Sequence, residues 1–219
     1  MLKTTFGGII IKKVLLINGS PHENGCTFTA LDEIRAELAK RGAESDLLWL
    51  GVRPIADCVA CRQSKETGRC ALSYRDPVNE TIDRLDEYDA IVAGSPVYYS
   101  GPSGQACAFL DRIFFSAGGR MAGKIGASVV SCRRGGGTAA IERLNQYFLM
   151  NNMVVAGSQY WNVVHGNTPD EVRLDAEGLQ VMRSLAANIA WLMKCLDAAR
   201  QAGIECPQYE PRLRTNFIR

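Results

Sequence analysis

Residues 12–27 read KKVLLINGSPHENGCT. Val14, Leu15, Leu16 and Ile17 form an apolar run without polar alternation, the mark of a strand buried on both faces. The run stops at Gly19, and a helix is predicted over 27–41, with Leu31, Ile34 and Leu38 on one face. Ser20, His22, Asn24, Gly25, Cys26 and Thr27 crowd the turn between them. Amides at a helix N-terminus, flanked by the Ser20 and Thr27 hydroxyls, make an anion site that needs no metal. The turn lacks the GK[ST] ending of a nucleoside-triphosphate loop, and GxGxxG does not fit its glycines. An ordinary turn before a capped helix is the plainer reading of the same residues.

The pattern then repeats. Strands are predicted at 46–50, 88–94, 125–131 and 153–160, and helices at 77–86, 104–115, 138–150 and 169–199. In the last helix Met182, Leu185, Ile189, Leu192 and Leu196 recur near every 3.5 residues, which fits packing on a sheet or a second subunit. Five strands interleaved with helices give an α/β fold: a doubly wound parallel sheet with helices on both faces. Residues 1–11 read as an N-terminal extension, 12–200 as one domain and 201–219 as an irregular C-terminal tail. Residues 51–75 show no period, and loops that long are usually functional.

In such sheets ligands bind beyond the carboxyl ends of the strands. After the third strand come Ser95, Pro96, Val97, Tyr98, Tyr99, Ser100 and Gly101. Pro96 biases Ser95 to extended geometry, and the tyrosines offer flat faces with polar tips. After the fourth come Ser131, Cys132, Arg133, Arg134 and Gly135, a basic and glycine-rich turn facing the same crevice.

Composition narrows the classes. The chain has 219 residues, 47% hydrophobic and 22% charged, which excludes intrinsic disorder. Lys and Arg number 25 against 23 Asp and Glu, a net +2, without the basic surplus of nucleic-acid binders. No apolar run reaches the roughly 18–20 residues that span a bilayer, and residues 1–11 show no leader cleavage pattern. Eight dispersed cysteines suit a reducing cytoplasm better than a disulfide scaffold. Cys195 and Cys206 read as packing residues.

GSPHENGCT at 19–27, with GSPVYYS at 94–100 and SGQACAFLDR at 103–112, resembles the flavodoxin-like NAD(P)H-dependent FMN reductases. The resemblance spans roughly 12–200 and is nearest to iron–sulfur flavoprotein relatives that lack the intact cluster. It implies a five-stranded, three-layer flavodoxin-like fold. It places the FMN phosphate on Ser20, His22, Asn24, Gly25, Cys26 and Thr27. The flavin ring follows along Pro96, Val97, Tyr98, Tyr99, Ser100 and Gly101, and its pyrimidine end lies against Ser131, Arg133, Arg134 and Gly135. NAD(P)H is the implied co-substrate, and flavin N5 rather than a side chain carries the chemistry. The acceptor would be a quinone, a nitro or azo compound, a ferric complex or a protein. A flavodoxin-type electron carrier, or a redox sensor without NAD(P)H turnover, is the alternative.

Departures from the family pattern matter. His22 stands where relatives often carry Arg, so FMN affinity is expected to fall between about pH 6 and pH 8. Cys107 stands where relatives commonly have Lys and reads as a small buried thiol. Cys58, Cys61 and Cys70 match cluster ligands, but Ser64 occupies the third ligand position. Clusters prefer thiolates, so no intact iron–sulfur cluster is expected. A zinc site, a structural loop and a redox-cycling Cys58/Cys61 pair are the other readings. Relatives assemble as homodimers or homotetramers. His165 reads either as a hydrogen-bonded loop residue or as one reaching a neighbouring subunit's flavin. Trp161 and residues 216–219 are interface candidates.

Overall fold

The computed structural model describes residues 5–6, 9–10, 12–72 and 75–215. Within the N-terminal stretch, β1 (Thr5–Phe6) and β2 (Ile9–Ile10) pair as a short antiparallel ribbon. The remaining elements run β3 (Lys12–Asn18), α1 (Cys26–Lys40), β4 (Ala43–Trp49), α2 (Ser64–Thr67), α3 (Val78–Arg84), β5 (Ala90–Tyr98), β6 (Gly101–Pro102), α4 (Gly104–Ala117), β7 (Ile125–Cys132), α5 (Gly137–Met150), β8 (Val154–Val155), β9 (Val163–His165), α6 (Pro169–Leu174) and α7 (Ala176–Gln201).

The sheet order is β4-β3-β5-β7, with β8 and β9 sharing the far edge of β7. Every pair is parallel except β5 with β6. One row across the sheet joins Leu47, Leu16, Val92 and Ala127. Alternate residues face opposite layers, which explains the unbroken apolar runs. Val14, Leu16, Val92 and Val129 pack with Leu31, Ile34, Met182 and Leu185 from α1 and α7. Leu15, Ile17, Ile91 and Val130 pack with Ile82, Phe109, Ile113 and Phe148 from α3, α4 and α5. Burying each such aliphatic side chain contributes about 1.5–3 kcal/mol.

Three expectations are corrected. The fifth strand does not run through 153–160. It makes two rungs at Val154 and Val155, leaves the sheet with Gly157 and Tyr160 exposed, and returns at Val163–His165. Asn188 Nδ2 holds Gly157 O at 2.8 Å, away from the ladder. The helix predicted over 169–199 is two helices. Asp175, with ψ of 78°, leaves helical geometry and caps α7, its carboxylate accepting from Gly178 N. The third strand extends past residue 94 to Tyr98, and β6 returns against it, so the sheet has seven strands rather than five. Cys195 and Cys206 are exposed rather than packed, because the buried stripe of α7 runs through Leu185, Ile189 and Met193. Residues 216–219 lie outside the described residues.

An ion-pair network closes the end of the sheet opposite the carboxyl-end loops. Asp46 accepts from Lys13 Nζ at 2.9 Å, Arg84 Nη2 at 2.6 Å and Tyr88 Oη at 2.7 Å. Burial alone would raise its pKa, but these donors outweigh that and hold it below the usual carboxylate range. Glu87 is held low chiefly by Arg84. Both groups therefore favour folding above the ordinary carboxylate pKa, and that contribution disappears as pH falls through their depressed values. Scanning calorimetry should give a steady Tm down to about pH 5 and a falling Tm below about pH 4. Asp46→Asn should soften that fall. A Tm that is flat down to about pH 2 would show that the network contributes nothing.

Candidate functional site

The order β4-β3-β5-β7 puts the reversal of chain direction between β3 and β5, and the crevice opens there. The first loop wraps around buried Asn18. Asn18 Oδ1 accepts from Ser20 N at 3.0 Å, and its Nδ2 donates to Glu23 O at 3.0 Å. Ser20 Oγ in turn accepts from His22 N at 3.1 Å. Gly25 is the N-cap of α1, in extended geometry. No side chain caps that helix, and its first turn holds no acid. The opening amides of α1 are thus left to an anion. His22, Glu23 and Asn24 are exposed, while Ser20 and Thr27 are buried. Cys26 Sγ donates to Gly166 O at 3.7 Å, and burial pushes its thiol pKa up.

The second loop is a hairpin. Tyr99 and Ser100 have φ of 48° and 61°, the left-handed pair of a tight turn between β5 and β6. Tyr98 is half-exposed and Tyr99 fully exposed. Buried Ser103 ties this hairpin to the first loop. Its N–H donates to Ser95 Oγ at 2.8 Å, and its hydroxyl donates to Gly19 O at 2.7 Å and caps α4 at Ala106 N.

The third loop closes on the other two. Gly136 has φ of 87°, and a Cβ there would lie 2.9 Å from Ser100 Cα and 3.1 Å from Val97 Cγ1. Thr27 Oγ1 and Ser131 Oγ are 2.9 Å apart. Whichever hydroxyl donates, the other keeps its proton for a further acceptor. Arg133 and Arg134 are exposed, as is Gly135.

Sequence reasoning missed Trp49, Ser103 and Gln105. Trp49 Nε1 donates to Ser20 O at 2.9 Å, and Gln105 Nε2 donates to Leu50 O and Gly51 O. The available signal was a polar-tipped aromatic at the carboxyl end of a strand.

A parallel sheet in this order, with a metal-free anion cradle at its switch point and a tyrosine hairpin beside it, defines a flavodoxin-like α/β protein. The chain belongs to the NADPH-dependent FMN reductase family, whose model matches residues 12–168. It is 30% identical over 192 residues to an iron–sulfur flavoprotein of Methanocaldococcus jannaschii, covering 84% of this chain and 98% of that one. In fold it is similar to a WrbA-like flavodoxin of Agrobacterium tumefaciens (TM-score 0.57, 15% identity, 84% and 98% covered). It is also similar to an archaeal flavodoxin (TM-score 0.56, 17% identity, 83% and 99% covered). The family is one of FMN-dependent oxidoreduction. The uncapped amides, the buried hydroxyls and the acid-free first turn of α1 fit the phosphate of that cofactor.

The cysteine segment does not fit a cluster. Cys70 Sγ accepts from Arg112 Nε at 3.2 Å, Cys61 is exposed, and Ser64 is buried at the start of α2. Among the described residues no three Cys, His or carboxylate groups gather as a metal site. Instead the segment folds around Arg112, which is fully buried. Its Nη1 donates to Asp76 Oδ2 at 2.5 Å and to Ala56 O at 3.3 Å, and its Nη2 donates to Leu72 O at 2.7 Å. Burial opposes the guanidinium charge, but Asp76 and Cys70 outweigh it and raise the pKa. Cys107 is half-buried, and burial raises its pKa too.

Proposed function

We propose that the protein takes a hydride from NAD(P)H through bound FMN and passes the electrons to a quinone, a nitro or azo compound, a ferric complex or a protein acceptor. The observation that carries this reading is the meeting of three loops on one rim, joined by the Thr27–Ser131 hydroxyl pair and the Gly136–Ser100 contact. When bound, FMN supplies the two-electron chemistry, so no side chain need act as acid or base in the first half-reaction. The amides from Cys26 onward and the Ser20 hydroxyl would hold the phosphate, each charge–dipole contact contributing about 0.3–1 kcal/mol. Backbone amides from Tyr98 to Gly101 would meet one edge of the ring, and Ser131 to Gly135 the pyrimidine end. Arg133 or Arg134 there favours added negative charge. Tyr98 and Tyr99 would exclude water and align a second ring.

Mixing the FMN-loaded protein with NADH, and separately with NADPH, in a stopped-flow spectrometer tests this. Loss of the yellow absorbance with either nucleotide is expected. Persistence with both would overturn the reading in favour of an electron carrier or redox sensor.

A reducing cytoplasm and assembly as a homodimer or homotetramer belong to the same proposal. Eight free cysteines support the first, and exposed Trp191 on α7 supports the second. Near-neutral charge favours small-molecule or protein partners over nucleic acid. Among the described residues no helix is long and apolar enough to cross a membrane.

A further inference from the structure

The third loop has two sides. Gly136 packs on the hairpin at Ser100. The same segment, from Arg134 to Gly137, also walls a cavity of about 340 Å³ at the carboxyl end of β9. Neither the 20–27 loop nor the 98–101 turn lines that cavity. It is therefore separate from the anion cradle and shares one wall with the rim. Its volume falls in the range of small-ligand sites, roughly 300–1,000 Å³.

We propose that this cavity binds a planar aromatic electron acceptor, its ring stacked on Trp161 and its carbonyl or nitro oxygen hydrogen-bonded to Arg134. The acceptor's role rests on the oxidoreductase reading above. The binding itself does not.

Two rings stand at the cavity. Tyr160 and Trp161 are 59% and 55% exposed and meet edge to face, with centroids 4.6 Å apart. Ser158 holds this platform, its hydroxyl donating to Tyr160 O at 2.7 Å and accepting from Tyr160 N at 3.3 Å. Val163 and Val181 supply an apolar lining. Among the described residues no carboxylate pairs with Arg134, so its guanidinium is available to a ligand oxygen. Asp175 is already engaged, accepting from Gly178 N at 2.9 Å and from His165 N at 2.7 Å. With Asp175 and Glu177 both lining the cavity, Arg134 does not make it cationic. That disfavours a phosphate-bearing nucleotide and favours an uncharged ring.

The reaction balances for a quinone. A hydride equivalent from NAD(P)H, passed by way of bound FMN, brings two electrons and one proton, and solvent brings the second proton. Hydroquinone and NAD(P)⁺ leave.

The test titrates apo and FMN-loaded protein with duroquinone, whose fully substituted ring does not alkylate Cys132. Saturable quenching of tryptophan fluorescence is expected in both forms. By equilibrium dialysis, Trp161→Ala should weaken binding about tenfold, and Arg134→Gln about fivefold. Both should keep the wild-type circular dichroism, since both side chains lie outside the core. Trp161→Phe should keep most of the affinity and lose most of the quench. Unchanged affinity in both Trp161→Ala and Arg134→Gln would overturn the proposal. So would displacement of duroquinone by FMN added to the apo protein, which would merge the cavity with the flavin crevice. Displacement by NADPH in the apo protein would give the cavity to the nicotinamide and overturn it as well. Protein that binds duroquinone but takes up no FMN keeps the cavity and ends the oxidoreductase reading. Protein that takes up FMN but not duroquinone ends the cavity proposal alone.

Discussion

Arg112→Ala should lower stability by about 3–5 kcal/mol, the usual loss when one partner of a buried ion pair is removed. The Arg112 side chain is 0% exposed and that of Asp76 7%, so the remaining carboxylate has little access to water. The carbonyls of Ala56 and Leu72 lose their donor at the same time. In a domain of this size the Tm should drop by roughly 10 °C. The double variant Arg112→Met/Asp76→Leu should recover much of that loss, because it removes the stranded charge. Denaturant melts of the three proteins check both statements. Limited proteolysis adds a local readout: cleavage within 58–70 should speed up more than cleavage within 12–50. A single-variant loss below about 1 kcal/mol would mean that Arg112 does not organise the segment.

Gly136→Ala should weaken FMN binding by about 30-fold, or about 2 kcal/mol. Two physical effects combine. A side chain at φ of 87° costs about 1–2 kcal/mol of backbone strain. The new Cβ would also stand 2.9 Å from Ser100 Cα, a backbone atom that cannot swing aside. The hairpin must then move away from the third loop. Gly135→Ala is the control, because a Cβ there meets nothing within 4 Å. Fluorescence titration of the apo proteins with FMN separates the cases. Equal affinity in both variants would show that contact between the second and third loops does not shape the crevice.

Much of this architecture could be read from the chain because it is written in local signals. An unbroken aliphatic run such as Val14–Ile17 has one stable place, the middle of a covered sheet. The helices after β3, β5 and β7 begin within a residue or so of where Thr27, Gly104 and Thr138 suggested. The loops following those strands had to share a rim once the sheet was parallel. What could not be read depends on partners distant in sequence. Nothing near Leu174 announces a break. It arises because the Asp175 carboxylate accepts from His165 N as well as Gly178 N. The interrupted edge strand depends on Asn188, 31 residues away from Gly157. Arg112 looks like an ordinary polar residue on a helix until Asp76 and Cys70 are seen beside it. The hairpin carries no Asn-Gly or Asp-Gly at its turn, so turn chemistry could not flag it.

That turn bears on the order of folding. Tyr99 and Ser100 are residues that a free peptide would not hold in left-handed geometry. Their shape is imposed from outside, by the Ser95–Ser103 clasp and by Gly136 pressing from the neighbouring loop. The hairpin therefore cannot nucleate. It sets only after β5 and β7 have aligned, which makes the most solvent-facing tyrosine of the molecule one of the last parts of the chain to reach its native position.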